Sequence, residues 1–128
     1  MRICIVGESD TKEQAKLLGN CFKDIDAQIA IATIERFPLG DAMLPFFFNL
    51  SSRNDFALIL ISDSDSSLGW IARELETQQS RLESCLNVYP IFLSASYIAD
   101  YWLGSDNLYF VFDSNLSAQI NRWLISIH

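Results

Sequence analysis

Residues 55–62 read DFALILIS, six apolar residues in succession between an aspartate and a serine. A strand with one wet face alternates apolar and polar residues, whereas this run is apolar on both alternating sets. That is the pattern of a strand buried on both faces, as in the middle of a parallel sheet. Shorter relatives of the pattern stand on either side of it. Arg2–Gly7 (RICIVG) is a β-rich run closed by glycine, and Ala27–Ile34 (AQIAIATI) sets Ile29 and Ile31 between alanines. Val88–Leu93 (VYPIFL) and Leu108–Phe112 (LYFVF) complete a set of five strands, Pro90 predicting an interrupted or edge ladder in the fourth.

The segments between them have helical spacing. From Thr11, residues Ala15, Leu18, Cys21, Phe22 and Ile25 recur three or four apart. Glu35–Gly40 (ERFPLG) reads as a loop, and Asp41–Leu50 (DAMLPFFFNL) as a short apolar helix with Pro45 near its start. Leu68–Leu86 is the clearest helix, and Leu116–Ile127 closes the pattern. Strands alternating with helices define an α/β domain. The expected fold is a flavodoxin-like three-layer sandwich around a central five-stranded parallel sheet of order 2-1-3-4-5, with residues 1–128 as a single domain. In such sheets ligands bind outside the carboxyl ends of the strands. The loops concerned are Glu8–Asp10, Glu35–Gly40, Asp63–Ser67 and Ser94–Asp100.

Composition narrows the chemistry. Half of the 128 residues are apolar and nine are phenylalanine, which argues for a packed core. The apolar runs are far shorter than the roughly 20 residues of a membrane span. The opening MRICIVGESD turns acidic too early for a secretory signal. Cys4, Cys21 and Cys85 have no metal-ligand spacing, so reduced thiols, a cytoplasmic location and no metal are expected. The net charge is −7 and all three lysines, Lys12, Lys16 and Lys23, lie in the first quarter, which argues against a nucleic-acid surface. The single histidine is His128, so triads and histidine metal sites are disfavoured. Any catalysis is expected to use carboxylates, hydroxyls and backbone groups.

One carboxylate stands apart. On a helical wheel centred on Ile71, Leu75 and Leu82, Arg73, Glu76 and Glu83 fall on the solvent side. Glu74 lies only about 60–70° from the centre and Trp70 about 110°, on the same flank. Desolvation at a core edge raises a carboxylate's pKa and strengthens its field on a ligand. The plain alternative is an amphipathic helix with a boundary glutamate and a packed tryptophan.

The stretch ERFPLGDAMLPFFFNLSSRNDFALILISDSDSSLGWIARELE (35–76) resembles the Toll/interleukin-1 receptor (TIR) domain family. Pro38-Leu39-Gly40 takes the family's loop, Leu58–Ser62 its strand ending in serine, and Ser67-Leu68-Gly69-Trp70-Ile71-Ala72-Arg73-Glu74 its Ser-x-x-Trp-x-x-x-Glu helix signature. RICIVGESD resembles the first strand and polar turn, and YPIFLS (89–94) the fourth strand. The resemblance implies cleavage of the N-glycosidic bond of NAD⁺ with Glu74 as catalytic carboxylate. NAD⁺ would be the substrate, with no separate cofactor. It also implies that Gly7, Glu8, Ser9, Asp10, Phe37, Ser67 and Trp70 surround the nucleotide, glycine permitting close backbone approach. Homotypic association, a sensor or signalling partner, and a role in immunity or cell death are further implications. The GESD turn departs from the Ser-Tyr of many relatives, and many members are scaffolds without activity.

Other readings compete. Asp63-Ser64-Asp65 after a strand resembles D-x-D phosphatase or receiver sites, but these need a downstream lysine and none follows Lys23. Helix-capping and turn roles fit that triplet better. Glu8 and Asp10 read plainly as a solvated turn leading to a helix N-cap. Ser62 and its neighbouring serines have no base in the pattern. Phe46-Phe47-Phe48 reads as core with part left exposed, since three consecutive aromatics cannot share one helix side. A nucleoside deoxyribosyltransferase-like enzyme with a helix-borne glutamate is a second enzymatic alternative, and a non-catalytic TIR-type scaffold a third reading.

Overall fold

The computed structural model describes residues 1–38, 40–62, 87–94 and 110–127. Four strands, β1 (Arg2–Glu8), β2 (Gln28–Ile34), β3 (Phe56–Ile61) and β4 (Val88–Phe92), form a parallel sheet in the order β2-β1-β3-β4. A two-residue segment, Phe110–Val111, bridges the outer side of β4 in parallel, Phe110 opposite Ile91 and Val111 opposite Phe92. Described helices are α1 (Lys12–Asn20), α2 (Met43–Arg53) and α3 (Leu116–Ile127).

The apolar runs become strands because both faces are covered. Ile3, Ile5, Leu58, Leu60 and Ile91 point into one core with Ala15, Leu18 and Phe22 from α1 and its C-terminal turn, and with Ile120 and Trp123 of α3. Cys4, Val6, Ile59, Ile61 and Phe92 point the other way, against Met43 and Phe47 of α2 and against Phe37. Side chains alternate across a strand, so a run apolar at every position needs helices on both sides. Phe56, Tyr89 and Trp123 meet edge-on or tilted at the amino end of β3 and β4, with ring centroids 4.8 Å apart for Phe56–Trp123 and 5.4 Å for Tyr89–Trp123.

Three details depart from the pattern. β2 is the edge strand, as the expected order places it, but most of its residues are exposed, so the covering of both faces expected of the apolar strands does not extend to it. Its outer position gives it fewer neighbours than β1 or β3. α2 begins after a 3-10 turn at Gly40–Ala42 and runs to Arg53, three residues beyond the expected end. Ser51 and Ser52, turn-like by type, find partners there: Ser51 Oγ donates to Asn87 Oδ1 at 2.6 Å and Ser52 Oγ to Asn49 C=O at 3.2 Å. Pro90 is buried and in register with Ile59. Leu93 N–H donates to Ile61 C=O and Phe112 N–H to Phe92 C=O. Alternation therefore turns the face of Pro90 that lacks a donor away from β3, and the bridge to Phe110 begins one residue later at Ile91.

Candidate functional site

The order β2-β1-β3-β4 reverses direction at β1. The chain leaves β1 toward one side through α1 to β2, then crosses through α2 to β3 on the other side. Helices α1 and α2 lie in cores on opposite faces, so the carboxyl ends of β1 and β3 stand at the point where the strand order reverses. This is where open parallel sheets bind ligands.

The candidate site begins at Gly7. A Cβ there would overlap Thr11 Oγ1 and stand 3.3 Å from Leu60 Cβ. The space that glycine leaves open is taken by the chain itself. Thr11 folds back over it and donates from Oγ1 to Glu8 C=O at 2.7 Å, closing the 3-10 turn Ser9–Thr11 that leads into α1. Such hydroxyl-to-backbone bonds set tight turns.

Glu8 is not the solvated turn residue that its type suggests. It is 3 % exposed, and its Oε2 accepts the Phe37 N–H at 3.0 Å. The last residue of β1 thereby holds the loop after β2. Phe37 reaches the site through its backbone; its ring is buried with Met43, Phe47 and Ile59, and meets Phe46 edge-on at 6.5 Å. From the neighbouring strand, Ser62 follows β3 and is also buried, and its Oγ donates to Asp10 Oδ2 at 3.3 Å. Ser9 and Asp10 are themselves exposed.

Gly7, Glu8, Ser9, Asp10 and Phe37 are thus brought together at one carboxyl edge. Ser67, Trp70 and Glu74 lie outside the described residues, as do Asp63-Ser64-Asp65 and Cys85. Two residues of the cluster carried little sequence signal. Thr11 was legible only as the start of a helical pattern, and Ser62 only as the end of an apolar run. Their roles come from neighbours 3 and 52 positions away, respectively.

The cluster Glu8, Asp10, Thr11 and Ser62 holds carboxylates and hydroxyls and no basic side chain; Glu8, Thr11 and Ser62 are buried and hydrogen-bonded within the protein, and Asp10 is the exposed carboxylate that a ligand would meet. Acceptors of this kind suit hydroxyl-bearing or cationic parts of a ligand better than phosphate. Among the described residues no group of three His, Cys, Asp or Glu side chains could hold a metal ion, and no helix is long and apolar enough to cross a membrane. A separate cavity of about 300 Å³ lies at the opposite, amino end of the strands, lined by Arg2, Cys4, Phe46, Asn49 and Arg53 among others. Its polar groups serve the end of α2: Arg2 Nη1 donates to Arg53 C=O and Asn54 Nδ2 to Leu50 C=O. That arrangement is a helix C-terminus secured to the sheet.

The fold and its carboxyl-edge acids define an α/β protein with a parallel sheet. No known family model matches the chain, and no curated protein matches it in sequence.

Proposed function

We propose that the chain is a TIR-like domain, completed as a five-stranded flavodoxin-like sandwich of order 2-1-3-4-5, that cleaves the ribose–nicotinamide bond of NAD⁺. The observation that supports this reading best is the meeting of carboxylates with a strand-order reversal: Glu8, buried, and Asp10, exposed, stand at the carboxyl end of β1 beside β3, the place where such sheets bind nucleotides. Glu74, on the helix whose sequence carries the Ser-x-x-Trp-x-x-x-Glu signature, is the catalytic carboxylate of this proposal. By the same resemblance Ser67 and Trp70 are substrate-binding residues of this proposal.

In the reaction the C1′–N bond breaks and its electron pair leaves with nicotinamide, which departs neutral. Positive charge develops on the ribose, and a carboxylate stabilises it or holds the ribose hydroxyls. Water then adds at C1′ and releases its proton to solvent, giving linear ADP-ribose; attack by the adenine ring instead gives a cyclic product. Nicotinamide needs no general acid to leave, which accommodates a site without histidine. Self-assembly activates the domain in this reading, in keeping with an immune or cell-death signalling role.

The test is NAD⁺ consumption by concentrated protein with a crowding agent, wild type beside Glu74→Gln. The expected outcome is turnover by the wild type and a loss of roughly 10²-fold or more in the variant. Turnover that survives Glu74→Gln would remove Glu74 from the chemistry. An inert wild type that self-associates would favour a scaffold, and base release from deoxynucleosides instead of NAD⁺ would favour the deoxyribosyltransferase-like reading.

A further inference from the structure

The cavity of about 300 Å³ at the amino end of the strands has no part in the NAD⁺ reading. Its lining divides by burial. Cys4 is buried and Phe46 and Leu50 are half-buried, which makes an apolar floor, while Arg2, Asn49 and Arg53 are exposed and form its rim. A helix C-terminus ordinarily presents free carbonyls and a partial negative charge, and both disfavour an anion. At the end of α2 those carbonyls are already bonded. Ser52 Oγ donates to Asn49 C=O, Asn54 Nδ2 to Leu50 C=O, and Asn87 Nδ2 to both Ser51 C=O and Asn54 C=O. Arg2 Nη1 donates to Arg53 C=O at 3.4 Å, a long bond that takes one of the five N–H groups of that guanidinium. The rim is left with donors in surplus. Among the described residues the Arg53 guanidinium has no hydrogen-bond or ion-pair partner, and the Arg2 guanidinium no ion-pair partner. Asp55 Oδ2 accepts the Arg2 main-chain N–H at 2.7 Å and pairs with neither guanidinium. In a chain of net charge −7, two arginines at one cavity that no acid lines are a local reversal of sign.

We propose that this cavity binds a small organic acid, its carboxylate received by Arg2 and Arg53 and its apolar body seated on Cys4, Phe46 and Leu50. A carboxylate is flat and offers two oxygens, which matches the planar fork of a guanidinium. An inorganic anion would satisfy the rim and leave the floor uncovered. A neutral apolar molecule would cover the floor and leave the guanidiniums unpaired. Only a ligand with both parts uses both sets of residues. The volume is at the lower end of the range for small-molecule sites, which suits one ring or a short chain. The inference goes beyond the NAD⁺ reading and concerns the other end of the sheet, so neither depends on the other.

The probe is benzoate, titrated into the isotopically labelled full chain and followed by amide and arginine Nε–H correlation spectra. Benzyl alcohol and inorganic phosphate serve beside it as the two half-probes. Benzoate should give saturable shifts at the Arg2 and Arg53 Nε–H groups and at the Cys4 and Leu50 amides. Its Kd should be on the order of 1 mM, as suits a ligand of so few atoms. Each half-probe should bind at least about tenfold more weakly, and Arg53→Gln and Arg2→Gln should each weaken benzoate by a similar factor. Shifts that do not saturate, or that leave these four residues unmoved, would overturn the proposal. Benzoate binding indifferent to Arg53→Gln would overturn it too. So would benzyl alcohol binding as tightly as benzoate, which would make the cavity an apolar site alone. Phosphate binding as tightly would overturn it as well, by showing an anion patch without an apolar seat. Circular dichroism checks folding. Arg53 is exposed, so its substitution decides should Arg2→Gln not fold.

Discussion

Gly7 and Thr11 occupy one another's space, and this contact sets the shape of the β1 turn. A methyl group at position 7 would meet Thr11 Oγ1 and press on Leu60 of β3, which is itself fully buried in the core that α1 covers. Neither neighbour is the free end of a long, flexible side chain, so the backbone itself has to move. Gly7→Ala should therefore cost about 1–3 kcal/mol of unfolding free energy, as overpacking usually does. Adding Thr11→Ala should recover part of the loss, even though it deletes the bond to Glu8 C=O. Urea titration of the single and double variants reads the coupling directly. Additive losses would mean that Leu60, and not Thr11, sets the limit at this position.

Among the elements, α2 shows how packing selects between residues of one type. Phe46, Phe47 and Phe48 are consecutive, and a turn of about 100° per residue sends them to different sides. Phe47 is 3 % exposed and faces Cys4, Ile59 and Phe92, whereas Phe48 is 43 % exposed. Phe47→Ala should cost about 3–5 kcal/mol and Phe48→Ala within about 1 kcal/mol, since only the first opens a cavity. Thermal melts of both variants would show it, and a comparable loss in each would mean that Phe48 is covered by another surface. At the head of the helix, Gly40 has φ +61°, the left-handed region that favours glycine. Pro45 in the first turns and the capping of Leu50 C=O by Asn54 Nδ2 set the helix between its two ends.

For the molecule as a whole, the two cores each hold a described group whose titration bears on stability. Burial pushes the Cys4 thiol up from its ordinary value, and burial is also the largest influence raising the Tyr89 phenol. Cys4 sits in the α2-side core and Tyr89 packs against the opposite one. In both the folded chain holds its proton more tightly than the unfolded chain does. The stability each contributes is complete below its unfolded-state pKa and is lost as pH rises through the folded-state value. Unfolding free energy should thus decline on the alkaline side, first above the ordinary thiol range and then above the phenol range. Denaturant titrations at a series of alkaline pH values measure this slope, and Cys4→Ala should remove its first part. A slope unchanged by Cys4→Ala would assign the alkaline loss to other groups.

What the sequence by itself determined is the alternation of elements: runs such as FALILI are apolar at every position, and such runs are stable only between two layers of helix. The first four strands and the last helix were legible for that reason, because the hydrophobic effect acts on local pattern. The expected order put β2 at the edge, but tertiary structure alone decided how little of it would be covered, since QIAIATI reads as a strand like its neighbours and yet most of its residues are exposed. It also decided that α2 continues through Ser51 and Ser52, which depend on partners such as Asn87. At the candidate site, the sequence located Gly7–Asp10 and Phe37 at strand ends. It could not distinguish a solvated Glu8 from a buried one, or a Phe37 ring facing a ligand from one facing the core. Those distinctions depend on contacts between residues 29 and 52 positions apart, Glu8 with Phe37 and Asp10 with Ser62, and such contacts exist only once the sheet has assembled.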